Sequence, residues 1–341
     1  MMELVGLIRT LPRRAAMSQR VSGLRTLLAL LLLGLVALNA VAYQHAHAML
    51  HFVPSGEKTN PPERLSLLEK LRVVAMGITV PRPLAGQPPS DLAGILTEEQ
   101  IAVDDRIHLG AWWIPSPKRR GTVIAVHGYS GGKSQLLEEA REFLRLGWSV
   151  LLVDRRGSGG SSEAYTTIGY READDVLAAL RFVVDRERTS GPIVLYGRSM
   201  GAAAIMRAVS IDGSRINGVI LEGVFGRLSE TVARRFELMG LPAHPLSDLL
   251  VFWGGFQFDF SGFAHNPVDY ARSVRVPTLM LHGRADPRAT LAQAVAVYEA
   301  LSGPKHLETF ERIGHQSILK QNARGWRKQV GAFLTTTLVR Q

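Results

Sequence analysis

Ile193-Val194-Leu195-Tyr196-Gly197-Arg198-Ser199-Met200-Gly201-Ala202-Ala203-Ala204 is the stretch on which the reading of this chain turns. Four largely apolar residues read as a buried strand, a G-x-S-x-G pentapeptide follows, and a run of alanines opens a helix that can pack closely. A serine on a strand-to-helix turn needs neighbours without bulk. The backbone folds back so tightly that a side chain at either glycine would collide. With 33 glycines in 341 residues the pentapeptide alone is weak, and its setting carries the meaning.

Working outward, short apolar runs alternate with longer amphipathic stretches from about residue 96, the pattern of a mostly parallel sheet. The expected strands are a hairpin of Ile101 to His108 and Ala111 to Ile114, then 122–126, 149–154, 193–196, 218–222, 278–282 and 307–310. Helices are expected at about 134–146, 171–187, 200–210, 289–302 and 323–338. Five strands are nearly all apolar, which calls for helices on both faces of the sheet. Residues 223–266, rich in Phe, Trp and Gly, interrupt the rhythm and read as a lid. Its aromatics Phe252, Trp253, Phe256, Phe258 and Phe260 are expected to pack the lid down rather than line a cleft.

Ligands of open α/β sheets sit beyond the C-terminal ends of the strands, so the residues there decide the chemistry. Serine alone is a poor nucleophile and needs a base oriented by a carboxylate. His282-Gly283-Arg284-Ala285-Asp286-Pro287 puts Asp286 on one such loop, and Ile313-Gly314-His315 puts His315 on the next. Asp286 has a plainer alternative as a capping aspartate before Pro287, with Glu222 as the reserve acid. A second pentapeptide, Gly128-Tyr129-Ser130-Gly131-Gly132, lacks the alanine-rich helix. Its loop suits oxyanion donors, which assigns the Tyr129 and Met200 N–H groups to that task, with His127 holding the loop and Ser130 as the rival nucleophile. Gly157-Ser158-Gly159-Gly160-Ser161-Ser162 misses the last glycine of a dinucleotide loop and reads as a tight turn, beside which Arg155 and Arg156 could meet an anionic substrate.

The N-terminus carries a different message. Arg9, Arg13, Arg14, Arg20 and Arg25 stand against Glu3, and no further charged residue occurs until Glu57. Leu27 to Tyr43 is an apolar run of about 25 Å as a helix, close to the roughly 30 Å hydrocarbon core of a bilayer. It reads as an anchor, or as a signal segment cleaved at Ala40-Val41-Ala42 or Ala46-His47-Ala48. Either way the arginines hold that end in the cytoplasm and place the rest outside, as an anchored or a secreted domain. These arginines also supply much of the net charge of +10, and no dense basic block with aromatics follows, which argues against nucleic acid as a partner. The absence of cysteine excludes disulfides, a thiol nucleophile and cysteine-held metal. The expected organisation is a basic segment 1–25, an anchor or signal 26–48, a linker 49–95 and a catalytic domain 96–341. The linker holds one short amphipathic helix, expected to pack on the domain rather than lie on a membrane.

Over roughly 96–341 the chain resembles serine hydrolases of the α/β-hydrolase superfamily, on the pieces HGYSGG (127–132), DRRGSGGS (154–161), GRSMG (197–201), HGRADP (282–287) and IGH (313–315). Within it the chain is most similar to the branch of prolyl-oligopeptidase-type peptidases and membrane-anchored acyl (thio)esterases. The resemblance implies an α/β fold with an eight-stranded, mostly parallel sheet, a Ser199–His315–Asp286 triad, and no metal or organic cofactor. The expected activity is carboxylesterase-like: an ester or thioester of a small acyl substrate is cleaved through an acyl-enzyme. A small peptidase, an acyltransferase or a silent binding protein on the same fold are the alternatives. Arg198 is bulky and charged for its place in the turn and bears on substrate preference.

Overall fold

The structure, a computed structural model, describes residues 11–185 and 191–337. Arg9 and the expected helix ends at 187 and 338 lie outside them. Eight strands form one sheet: β1 (Thr97–Ala102), β2 (His108–Ile114), β3 (Thr122–Val126), β4 (Ser149–Val153), β5 (Ile193–Arg198), β6 (Gly218–Glu222), β7 (Thr278–Gly283) and β8 (Lys305–Phe310). Their order is β1-β2-β4-β3-β5-β6-β7-β8. β2 runs antiparallel to β1 and β4, and all the remaining pairings are parallel.

Eleven α-helices are described: α1 (Leu11–Leu50), α2 (Leu67–Met76), α3 (Leu137–Arg145), α4 (Glu172–Asp185), α5 (Met200–Ile211), α6 (Leu228–Met239), α7 (Leu246–Phe256), α8 (Pro267–Ala271), α9 (Leu291–Ala300), α10 (Ile318–Gln321) and α11 (Ala323–Ala332). The period of two along each strand divides the interior into two cores. Ile124, Val126, Leu151, Leu195, Leu221 and Met280 face α4, α5, α8 and α9. Val123, Ala125, Leu152, Tyr196, Ile220 and Leu281 face α3, α10 and α11. Apolar residues at every position of the central strands therefore have a core to enter on either side.

The first hairpin sits earlier than the sequence suggests. Asp104 accepts the N–H groups of Arg106 and Ile107 at 2.8 and 2.9 Å, so Asp104 to Ile107 is the turn rather than strand. That local side-chain bonding outcompetes the extended pattern. The lid region carries α6 and α7, and its aromatics divide: Phe258 is buried, while Phe252 and Phe256 are exposed. The expectation that they pack down holds for part of the set only.

α1 is continuous from the apolar stretch into the body, where Ala42, Ala46 and Leu50 are buried. Spaced by four, these three form one stripe of the helix, and α7 packs against this end of α1. The expected linker is strapped to the body. Val53 N–H donates to Val80 O at 3.0 Å, Arg82 N–H to Val53 O at 2.8 Å, and Phe52 N–H to Ala164 O at 2.6 Å. Ser66 and Glu69 form a reciprocal capping box that starts α2, and Gly77 at φ 80° ends it. Expected to pack on the domain, α2 instead buries Val73 alone, with Leu67, Leu68 and Met76 exposed at 75, 77 and 77 %.

Candidate active site

Ser199 joins β5 to α5 with φ 54° and ψ −119°, a backbone that L-residues rarely adopt. Its N–H donates to Glu222 O at 2.7 Å, which ties the turn to the neighbouring strand. The flanking glycines are obligatory. A Cβ on Gly197 would stand 2.8 Å from Ala202 N, and one on Gly201 would stand 2.6 Å from His127 O and still closer to Val126 O. The tight turn thus lifts the serine above the sheet only because both neighbours lack a side chain.

His315 leaves the loop after β8 and points Nε2 at Ser199 Oγ, 2.8 Å away. Its Nδ1 lies 2.6 Å from Asp286 Oδ2, on the loop after β7. The other oxygen, Asp286 Oδ1, accepts the N–H groups of Arg288 at 2.8 Å and Ala289 at 3.0 Å. The plainer reading of Asp286 as a helix cap does not hold, because Thr290 is the N-cap of α9; Oδ1 braces its own loop and leaves Oδ2 for the imidazole. Burial works to raise its carboxyl, yet the hydrogen bond and charge of His315 with these N–H donors hold it below the usual carboxylate range. Gly223, beside the pair, has φ 62°, a backbone that favours glycine, and a Cβ there would make only ordinary contact with the imidazole Cε1 at 3.7 Å.

The reserve acid, Glu222, does not face the imidazole. Its carboxylate accepts from Tyr196 Oη and from Ile318 N–H, both at 2.9 Å, below the turn. Burial pushes its carboxyl from the ordinary 4.5 up to about 6, against the pull of Arg198 and with the push of Glu139. The folded state thus keeps a proton that the unfolded chain gives up, so stability falls as pH rises through this window, by about 2 kcal/mol. Glu222→Gln is expected to remove that slope, measured as urea midpoints from about pH 4.5 to 7. An unchanged slope in the variant would show that another group titrates there.

The Gly128 loop lies against the serine, with a Cβ at Gly128 placed 3.6 Å from Ser199 Cβ. Tyr129 is pinned by its hydroxyl, which donates to Met49 O at 2.5 Å at the end of α1. Met200 is the first residue of α5, where backbone N–H groups lack a partner within the helix. His127 is fully buried. Its Nε2 accepts the Arg155 N–H at 3.3 Å, and its Nδ1 lies 2.9 Å from Gly128 O and 3.0 Å from the Arg155 guanidinium. Burial and then the Arg155 charge hold it well below its ordinary value, so it is a neutral brace of the loop.

Several side chains stand elsewhere than their sequence setting suggests. Arg155 and Arg156 do not reach toward a substrate. Arg156 makes a bidentate pair with Asp175 at 2.9 and 2.7 Å, and Arg155 donates to Gly128 O at 2.8 Å, both arginines being buried. Arg198 turns toward Glu139, 3.8 Å away, beneath the serine. Missed altogether were the buried Lys133–Asp154 pair at 2.5 Å and the Arg288–Glu63 pair at 2.5 Å, which ties the acid loop to the strap before α2. Nothing in the linear spacing signals partners 21 and 225 residues apart. Among the described residues no cluster of three His, Asp or Glu side chains could hold a metal ion.

Residues 117–252 match the family model described as serine aminopeptidase, S33. The uncharacterized protein YqkD of Bacillus subtilis is 27 % identical over 215 residues, 62 % of this chain and 70 % of its own length. The uncharacterized membrane protein YNL320W of Saccharomyces cerevisiae is 30 % identical over 152 residues, 44 % of this chain and 53 % of its own. The esterase Pf2001 of Pyrococcus furiosus superposes with a TM-score of 0.62 and 25 % identity, covering 76 % of this chain and 99 % of the esterase. The matched hydrolase family model and the superposition on an archaeal esterase make this chain a member of the α/β-hydrolase superfamily.

Proposed function

We propose that the chain is a serine hydrolase that cleaves esters or thioesters by acyl transfer to water. The reading rests on one observation, the relay of Ser199 Oγ, His315 Nε2 and Nδ1, and Asp286 Oδ2 at 2.8 and 2.6 Å. His315 takes the Ser199 proton as Oγ attacks the acyl carbon, Asp286 stabilises the imidazolium, and the Tyr129 and Met200 N–H groups hold the oxyanion. The imidazolium returns its proton to the leaving alcohol or thiol as that bond breaks. Water, deprotonated by the same imidazole, then adds to the acyl-enzyme and releases the acid and free serine.

The catalytic unit in this reading is 96–341, with 223–266 as its lid and a small acyl compound as substrate. A peptidase reading is favoured by the description of the matched family model, a serine aminopeptidase. α1 is read as a retained anchor with its arginine-bearing end cytoplasmic and the hydrolase domain on the other side. Retention is supported by the burial of Ala42 and Ala46, which cleavage at either candidate signal site would detach wholly or in part from α7.

A fluorophosphonate probe is expected to label the full chain once, at Ser199, as located by peptide mapping. Turnover of p-nitrophenyl esters is expected to exceed that of aminoacyl p-nitroanilides. No adduct would favour a silent binding protein, and the reverse substrate preference would favour the peptidase.

A further inference from the structure

We propose that the exposed apolar faces of α2 and α7 form a collar around α1 that rests in the headgroup–acyl boundary of the bilayer, so that the catalytic body is seated on the membrane rather than tethered above it. This rests on the reading of α1 as a retained anchor.

The argument starts from the length of helix left over for lipid. Leu27 to Val41 presents exposed apolar side chains after Arg25, and burial begins at Ala42. That stretch is about 22 Å long, short of the roughly 30 Å hydrocarbon core. The next turns of the same helix are packed on α7, and between Leu35 and Leu50 there is neither glycine nor proline to act as a hinge. With no slack and no joint, the body begins where the hydrocarbon ends.

The surfaces at that level are the ones a boundary would take. Trp253 Nε1 donates to Asn39 Oδ1 at 3.1 Å, and its ring meets Tyr43 edge-on at 5.6 Å. Phe252 and Phe256 flank Trp253 at 5.1 and 5.3 Å and are 50 and 64 % exposed. An aromatic cluster thus stands where the apolar stretch of α1 stops, the position that aromatic residues favour in membrane proteins. On the other element, His45 Nε2 lies 3.1 Å from Val74 O, which fixes the end of α2 one turn further along α1. α2 turns Leu67, Leu68, Leu71, Val74 and Met76 outward with Arg72 among them, while Lys70 Nζ donates to Leu238 O at 3.4 Å. A short helix with unburied leucines and an arginine among them is costly in water and suited to the lipid interface. Continuity with the anchor singles out lipid as the occupant.

The chain has no cysteine, so single cysteines can report on depth. Full-length protein in phospholipid vesicles would carry an NBD fluorophore on the single cysteine of Leu31→Cys, Leu71→Cys, Phe256→Cys or Arg215→Cys. Arg215 is exposed before β6, at the end of the sheet opposite the lid. Retained fluorophosphonate labelling shows that each variant is folded. Blue-shifted emission quenched by nitroxide lipids is expected at 31, 71 and 256, and water-like emission at 215. Quenching at 31 without quenching at 71 and 256 overturns the collar and leaves the anchor standing. No quenching at 31 overturns the anchor and the collar with it. Shielding at 71 or 256 that lipid nitroxide does not quench, and that vanishes with one chain per nanodisc, identifies a second copy as the occupant and overturns the proposal.

Discussion

Ser199→Ala is expected to lower ester turnover by about 10⁴-fold or more, the scale on which triad serines act in unrelated hydrolases. Ser130→Ala, in the other glycine-flanked pentapeptide, is expected to keep most of the activity. The two serines are close analogues locally, each with a positive φ, 54° for Ser199 and 48° for Ser130. What separates them is the partner. The imidazole of His315 faces Ser199, whereas Ser130 belongs to the loop that His127 braces as a buried neutral side chain. Steady-state rates with p-nitrophenyl butyrate on both variants, with circular dichroism to check folding, decide the matter. Loss of turnover in Ser130→Ala with retention in Ser199→Ala would move the nucleophile to the second motif.

The largest effect on stability is expected from Asp154→Ala. Asp154 receives the Lys133 ammonium at 2.5 Å, the Lys133 N–H at 2.7 Å and the Gly160 N–H at 3.0 Å, and Lys133 is only 3 % exposed. Removing the carboxylate leaves a buried cation without its counter-charge, which costs about 3–5 kcal/mol. That is a large share of the roughly 5–15 kcal/mol that holds a domain together. Urea denaturation should show the loss as a lower midpoint at similar slope. Replacing both partners, Lys133→Met with Asp154→Leu, is expected to recover much of it, because no charge is then stranded. A loss below about 1 kcal/mol in the single variant would mean that water reaches the ammonium, as at an exposed pair.

Asp154 also marks where linear reading stops. Its setting reads as a tight turn next to the active site, and it is one, but the carboxylate that organises the turn takes its cation from the 3₁₀ turn after β3. The same holds for Arg155 and Arg156, which from their place after a strand suggest substrate contact and in the fold are internal counter-charges for Glu172 and Asp175. Glu222 ends its strand where an acid is wanted, yet strand register aims it at Tyr196 and Ile318.

The sequence by itself left out the helices α6 and α7 that follow β6 in the lid but determined the central strands, the helices after most of them, and the loops that bear Ser199, Asp286 and His315. These follow from local rules, since apolar period, glycine steric freedom and chain order are properties of neighbours along the chain. Only the tertiary structure decided which oxygen of Asp286 meets the imidazole, that Arg198 turns to Glu139, and that α1 runs unbroken onto α7 while α2 leaves its leucines bare. Each of those depends on groups far apart in sequence competing for one place, and burial and hydrogen-bond geometry choose among them only once the sheet has brought them together.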